Sequence, residues 1–278
     1  LARQNRDARV LLTTFSETLA SVLRTKLHRL ISNETRIGER LEVHSITAIG
    51  RRIYEANFAR PKIATREQIQ SLLAEAADKS DRLKFTPYFL WTEWADVVDA
   101  WRLSDWDAYR SVKRLGRKTR LAETQRSVLW AIFEQVRAGL ERQELITQAD
   151  VFYRIAEHLE KAKQPPFDHA VVDEAQDIAV PELRFLAALG KDRPNSLFFA
   201  GDLGQRIFQQ PFSWKSLGVD IRGRSHTLRI NYRTSHQIRC QADRLLPPEL
   251  SDVDGNSEDR RGTVSVFNGP EPSLQVFG

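Results

Sequence analysis

Phe167-Asp168-His169-Ala170-Val171-Val172-Asp173-Glu174-Ala175-Gln176-Asp177 sets a short apolar run, Ala170 to Val172, directly against a cluster of acids and an amide. A run of that length reads as a buried parallel strand, which places the acids at its carboxyl end. In open α/β sheets ligands bind at that edge. Asp173 is then placed to reach a magnesium ion through its water shell, and Glu174 to polarise a water for attack on phosphorus. Both are roles that nucleotide hydrolysis requires. By itself an Asp-Glu pair after an apolar run is a weak signal, because a capped helix start yields the same letters.

Downstream, Ser196-Leu-Phe-Phe-Ala-Gly-Asp202 is a second strand that ends in an acid, followed by Gly204-Gln205-Arg206-Ile207-Phe208. A third, Thr227-Leu-Arg-Ile-Asn-Tyr-Arg233, ends in a polar triplet. Three buried strands that end in polar groups make one site. Asp-Glu-Ala-Gln-Asp (173–177), Gly-Asp-x-x-Gln-x-Ile-Phe (201–208) and Asn-Tyr-Arg-Thr (231–234) together resemble motifs II, III and IV of the UvrD/Rep-type DNA helicases of superfamily 1. The resemblance implies an α/β fold, a RecA-like, P-loop NTPase-type parallel sheet with an inserted all-helical subdomain.

The 278 residues, 41% hydrophobic and 28% charged, describe a globular protein with length for two cores. No run approaches the roughly 18 apolar residues of a membrane span and no signal peptide opens the chain, so a cytoplasmic protein is expected, bacterial in type and nucleoid-associated when on DNA. One cysteine, Cys240, rules out an internal disulfide, and the six histidines show no zinc-ligand spacing. A net charge of +5 is compatible with a polyanionic partner. The chain opens at Leu1 and has no methionine, which reads as an excised segment of a longer protein.

Arg9 to Phe15 reads as a strand, and Ser16 as the N-cap of a helix with Leu19, Val22, Leu23, Leu27 and Leu30 on one face. Leu41 to Ile46 is a further strand. From Thr65 to Leu145 helical periodicity dominates, five of the six tryptophans fall there, and Trp91, Trp94, Val98 and Trp101 share a face. That stripe reads as the core of a helical insertion. Within it Tyr109 to Arg120 carries Arg110, Lys113, Arg114, Arg117, Lys118 and Arg120 without an acid, a corner with Gly116 at its break. Such a run is usually a solvated face; in a nucleic-acid motor it is the best candidate for further phosphate contacts. Pro165-Pro166 stops a helix begun at Thr147, Ser235 to Leu246 is helical, Ser251 to Arg261 reads as a linker, and Thr263 to Phe267 as a strand without a partner. The expected sheet has at least five strands (9–15, 41–46, 169–174, 196–202, 226–233), with the insertion between the second and third. The expected domains are 1–64 and 146–246 as the first motor domain, 65–145 as the insertion, and 247–278 as linker and start of a second motor domain.

The resemblance also implies residue roles. Leu12-Thr-Thr-Phe-Ser16 looks like motif Ia, so Thr14 would hold a DNA phosphate and Phe15 lie near the strand; His44-Ser45 looks like motif Ib, another DNA contact. Asp173 would hold Mg²⁺, Glu174 activate water, Gln205 sense the γ-phosphate, Tyr232 stack on adenine and Arg233 reach the γ-phosphate. Phe208 would stack on bases, with Phe212 or Trp214 as a second aromatic, and Arg114, Arg117 and Lys118 would supply auxiliary charge. Three departures stand out. Leu203, Gly204 and Arg206 replace the acids and serine common in motif III; the phosphate-cradling Gly-x-x-x-x-Gly-Lys-Ser/Thr is absent; and so are motifs V and VI. The expectation is a motor-domain segment, inactive alone, of an ATP- and Mg²⁺-dependent helicase moving 3′ to 5′ on single-stranded DNA and at duplex junctions, in repair or replication. Two alternatives stand beside it: a DNA-binding relative that does not hydrolyse ATP, and the ATPase part of a helicase–nuclease.

Overall fold

The computed structural model describes residues 5–31, 34–80, 84–117, 119–205, 210–245, 247, 249–259, 262–273 and 275. Four strands, β1 (Val10–Thr14), β2 (Leu41–Ser45), β3 (His169–Val172) and β4 (Leu197–Phe199), form one fully parallel sheet in the order β2-β1-β3-β4. Val10, Leu11, Thr13 and Thr14 of β1 and Ala170 and Val172 of β3 are buried, as interior strands of a parallel sheet must be. Parallel neighbours need crossovers. The first is helix α1 (Glu17–Leu30), whose N-cap Ser16 accepts the Leu19 N–H. Helix α2 (Thr35–Gly38) then leads into β2, and Ser45 caps α3 (Ile46–Asn57).

The long crossover from α3 to β3 carries the insertion. It comprises α4 (Arg66–Asp78), α5 (Pro87–Glu93), α6 (Trp106–Ser111) and α7 (Glu123–Arg142), before α8 (Gln148–Lys161) returns the chain to the sheet. No strand occurs between 65 and 145 among the described residues. Its own core joins Ile69, Leu72, Trp94, Val98, Tyr109, Leu129 and Phe133, with Tyr109 stacked on Trp130 at 5.5 Å between centroids. The tryptophan stripe is core as expected, but not as one α-helical face: α5 passes into a π-helical turn at Trp94–Asp99, which resets the period. The neck is narrow. Ala64 N–H donates to Ile146 O (2.9 Å) and Ile146 N–H to Lys62 O (3.0 Å).

Helix α9 (Val180–Gly190) packs on α8 and follows β3. The chain divides into two compact units, Leu1–Gly201 with Phe208–Gln210, and Asp202–Ile207 with Pro211–Gly278. The second holds, among the described residues, two short ladders and a helix: β5 (Ile230–Asn231), α10 (His236–Asp243), and the strands β6 (Glu249–Ser251), β7 (Ser257–Asp259) and β8 (Val264–Ser265), paired β5-β8 and β6-β7. Two sequence expectations are corrected here. The 226–233 run is not a fifth, buried strand of the main sheet: Leu228 and Ile230 are exposed, and only Ile230–Asn231 pairs, in parallel, with Val264–Ser265. Thr263–Phe267 therefore does have a partner, 34 residues upstream in register at Ile230↔Val264. Leu-Arg-Ile-Asn alternates polar with apolar, so it lacks the continuous apolar run of a strand covered on both faces. Among the described residues no helix is long and apolar enough to cross a membrane.

The basic segment is also corrected. Arg114 and Arg117 do not stand on a solvated corner. Their side chains are 6% and 13% exposed and converge on Glu93, which is 0% exposed. Arg114 donates to both Glu93 oxygens (2.8 and 2.6 Å), and Tyr109 Oη donates to the same carboxylate (3.0 Å). A carboxylate buried that deeply needs such partners, and guanidinium forks supply them best. These two arginines are thus committed to the insertion's interior and withdrawn from the set of phosphate contacts; Lys118 lies outside the described residues. Arg114→Ala leaves the Glu93 charge under-compensated and should cost about 3 to 5 kcal/mol in a urea melt. A variant as stable as the wild type would contradict the buried pair.

Candidate active site

The sheet brings three strand ends to one level. Asp173 N–H donates to Thr13 O (2.8 Å), Ala200 N–H to Val172 O (2.8 Å) and Ala175 N–H to Ala200 O (2.9 Å). After Asp173 the chain turns sharply, with Glu174 in the left-handed region at φ 54° and a single 3₁₀ turn at Ala175–Asp177. A non-glycine residue held there stores strain, of the kind that collects at functional sites. Two contacts hold the turn. Gln176 Nε2 donates to Glu174 Oε2 (2.6 Å), and Gly201 packs so closely that a Cβ on it would lie 2.5 Å from Gln176 Oε1. Asp173 and Glu174 are half-buried, and no hydrogen bond to the Asp173 carboxylate occurs among the described residues.

Across from them, β1 ends in Thr14, 1% exposed, whereas Phe15 is 48% exposed. A crevice beside the turn is lined by Thr14, Phe15, Ile46, Asp173, Glu174, Asp177 and Glu182, among others. Asp177 and Glu182 went unassigned in the sequence reading. Asp177 belongs to the quoted stretch and Glu182 sits in the first turn of α9, but no local pattern marks either as facing Glu174. Burial, and then the Glu174 charge, raise the Asp177 pKa. Burial pushes Glu182 from 4.5 up to about 7, against the opposing hydrogen bond from Ala179 N–H.

His44 and Ser45 are placed differently from the expectation of open DNA contacts. Ser45 is buried, donates to Glu17 Oε2 (2.8 Å) and accepts from Ala48 N–H (3.3 Å), so its hydroxyl is occupied in joining α1 to the start of α3. That bond is the main cause of the lowered Glu17 pKa. His44 Nε2 lies 3.1 Å from both Glu42 Oε2 and Arg52 Nη1. Burial raises the Glu42 pKa, but bonds from Arg52, His44 and Arg9 outweigh it and leave the net shift downward.

In the second unit, Asp202 ties down motif III. Its Oδ2 accepts Gln205 Nε2 (2.9 Å) and its Oδ1 accepts Gly204 N–H (2.8 Å). Asn231 Oδ1 accepts the N–H groups of Arg233 (2.8 Å) and Thr234 (3.1 Å), a side-chain turn that leaves Tyr232 73% exposed and Arg233 exposed. Trp214 and Phe212 are each 8% exposed, so neither presents an open face for a base. Phe208 lies outside the described residues.

A parallel sheet with acids at the carboxyl end of a central strand and an all-helical insertion in one crossover defines a RecA-like α/β domain. The family model of the UvrD/REP helicase N-terminal domain matches residues 1–214, and the chain belongs to that family. Comparison with curated proteins gave no match.

Glu182 carries a pH signature. Its folded pKa of about 7 exceeds its ordinary 4.5, so the folded chain binds the extra proton. The stability it contributes is full below pH 4.5 and is lost as pH rises through about 7. Glu182→Gln, which keeps an acceptor for Ala179 N–H, should flatten the fall in urea midpoint between about pH 5 and 8. Asp99, also pushed up to about 7 by burial, leaves a residual slope. Identical slopes in wild type and variant would show Glu182 to be charged in the folded chain.

Proposed function

We propose that this chain is the motor segment of an ATP-dependent DNA helicase that couples nucleotide hydrolysis to 3′-to-5′ movement on single-stranded DNA and opening of duplex junctions. The observation that carries the reading is the end of β3: an Asp173 carboxylate without a hydrogen bond among the described residues, beside Glu174 on a strained turn. The donor set suits a hard divalent cation, since magnesium takes one or two carboxylates and leaves its other positions to water and phosphate. Asp173 would hold it. Bound Mg²⁺–ATP supplies the phosphoryl group and neutralises charge on its oxygens.

In this reading Glu174 takes the proton of the attacking water, and Gln176 Nε2 fixes the carboxylate oxygen on the far side. The guanidinium of Arg233 stabilises charge that develops on the transferring group. Gln205, held by Asp202, reports on the same phosphate, and exposed Tyr232 offers a ring to the adenine. On the DNA side Phe15, 48% exposed, stands at the end of β1 next to Thr14. The repair or replication setting follows from the family alone.

In the full-length parent, Glu174→Gln should abolish turnover while a fluorescent ATP analogue still binds, because the base is lost and the cation and phosphate contacts remain. Arg233→Ala should lower kcat by about 10²-fold. Steady-state ATPase assays with saturating single-stranded DNA decide both, and normal turnover in either variant refutes the assigned role. Binding to DNA separates stacking from charge: Phe15→Ala should weaken single-strand affinity by about 1 to 3 kcal/mol with its salt slope unchanged. Fluorescence anisotropy across a salt series reads both quantities, and an unaltered affinity would remove Phe15 from the DNA surface.

A further inference from the structure

Most buried side-chain polar groups find a partner, and those that do not call for an explanation. Two such groups belong to residues that line the crevice beside Glu174. Thr14 Oγ1 and Asp177 Oδ1 are buried without a hydrogen-bond partner among the described residues, on residues that are 1% and 9% exposed. They come from different elements. Thr14 ends β1 immediately before exposed Phe15, and Asp177 closes the 3₁₀ turn in which its N–H donates to Glu174 O (3.0 Å). The hollow between the lining residues is about 10 Å³, close to what one water occupies. A threonine hydroxyl can donate to a carboxylate, directly or through one water, so the two groups are chemically matched.

We propose that Thr14 and Asp177 form a coupling contact, closed directly or through one water, by which DNA at Phe15 sets the position of Glu174. Asp177 is a positioning residue: it touches neither nucleotide nor DNA and acts through the backbone of the Glu174 turn. This rests on the helicase reading above. Thr14 and Phe15 are consecutive, so a strand engaging Phe15 shifts the β1 end; the Thr14 hydroxyl follows, and the Asp177 turn with it. Glu174 is the residue best able to respond, because its left-handed backbone stores strain that a small rotation relieves. Allosteric coupling of this size spans about 5- to 150-fold.

The test measures, in the full-length parent, the ratio of kcat with saturating single-stranded DNA to kcat without it, together with ATP-analogue affinity. Thr14→Val and Asp177→Ala should each lower that ratio about tenfold, with analogue affinity held within about twofold. The double variant should be no worse than either single one, the mark of two groups acting as one unit. Thr14→Ser, which restores the hydroxyl, should recover the ratio. Should Asp177→Ala fail to fold, the Thr14 valine and serine pair alone decides the outcome. Undiminished stimulation in Thr14→Val, no recovery in Thr14→Ser, or losses that multiply in the double variant overturn the coupling. A wild-type parent with no DNA-stimulated turnover overturns the helicase reading and the coupling with it, whereas a stimulated wild type with equally stimulated variants overturns the coupling alone.

Discussion

Three backbone hydrogen bonds at the top of the sheet, Asp173 to Thr13, Ala200 to Val172 and Ala175 to Ala200, hold the ends of β1, β3 and β4 at one level. Everything assigned to the site depends on that levelling. Parallel strands deliver their carboxyl ends to one edge, so a residue after β3 and a residue at the end of β1 become neighbours although some 160 positions separate them. The same bonds leave the chain little room after Asp173. Glu174 must turn at positive φ, and Gly201 must lack a side chain for the turn to lie against it. The acid's unusual backbone thus follows from the sheet's register.

The insertion is stabilised in another currency. Its aromatic core gathers around a fully buried Glu93, neutralised by Arg114 and Arg117 and hydrogen-bonded by Tyr109. Such a cluster adds little net stability over an apolar one, because desolvating the ions offsets their attraction. What it does is fix the course of the chain from Val112 to Arg117 onto α5, from which Glu93 projects. At the other end Asp99 accepts the Thr147 hydroxyl (2.8 Å) and Tyr153 Oη donates to Ala100 O (2.7 Å), which join the π-helical turn to α8 beside the neck.

The first three strands were legible because Val10-Leu-Leu, Leu41 to Ser45 and Ala170-Val-Val carry the short runs that sheet burial demands, with a cap or acid at each end. The insertion was legible from its period and its tryptophans. What escaped was non-local. Nothing near Arg114 and Arg117 indicates that an acid 21 residues upstream of the first will bury beside them. The pairing of Ile230–Asn231 with Val264–Ser265 joins two stretches that look, one by one, like a buried strand and an unpaired one. Ser45 read as a surface contact because a cap and a surface residue share the same letters. In the site, Asp173 and Glu174 stood out by position at a strand end. Asp177 and Glu182 did not, since only the fold brings them to the crevice at Thr14.

The two buried polar clusters of the first unit differ in a way that bears on motion. Around Glu93 both carboxylate oxygens accept from Arg114, while Arg117 Nε and Nη2 are buried without a hydrogen bond among the described residues. Around Glu174 the buried hydroxyl and carboxylate stand apart, the backbone is strained, and the hollow takes about one water. The Glu93 carboxylate resists displacement, since moving it away from Arg114 leaves a buried charge under-compensated. Thr14 Oγ1 and Asp177 Oδ1 gain a bond in any small shift that joins them. In the proposed helicase reading, a change at Phe15 reaches Glu174 through these strand ends, where Thr14 and Asp177 line one crevice.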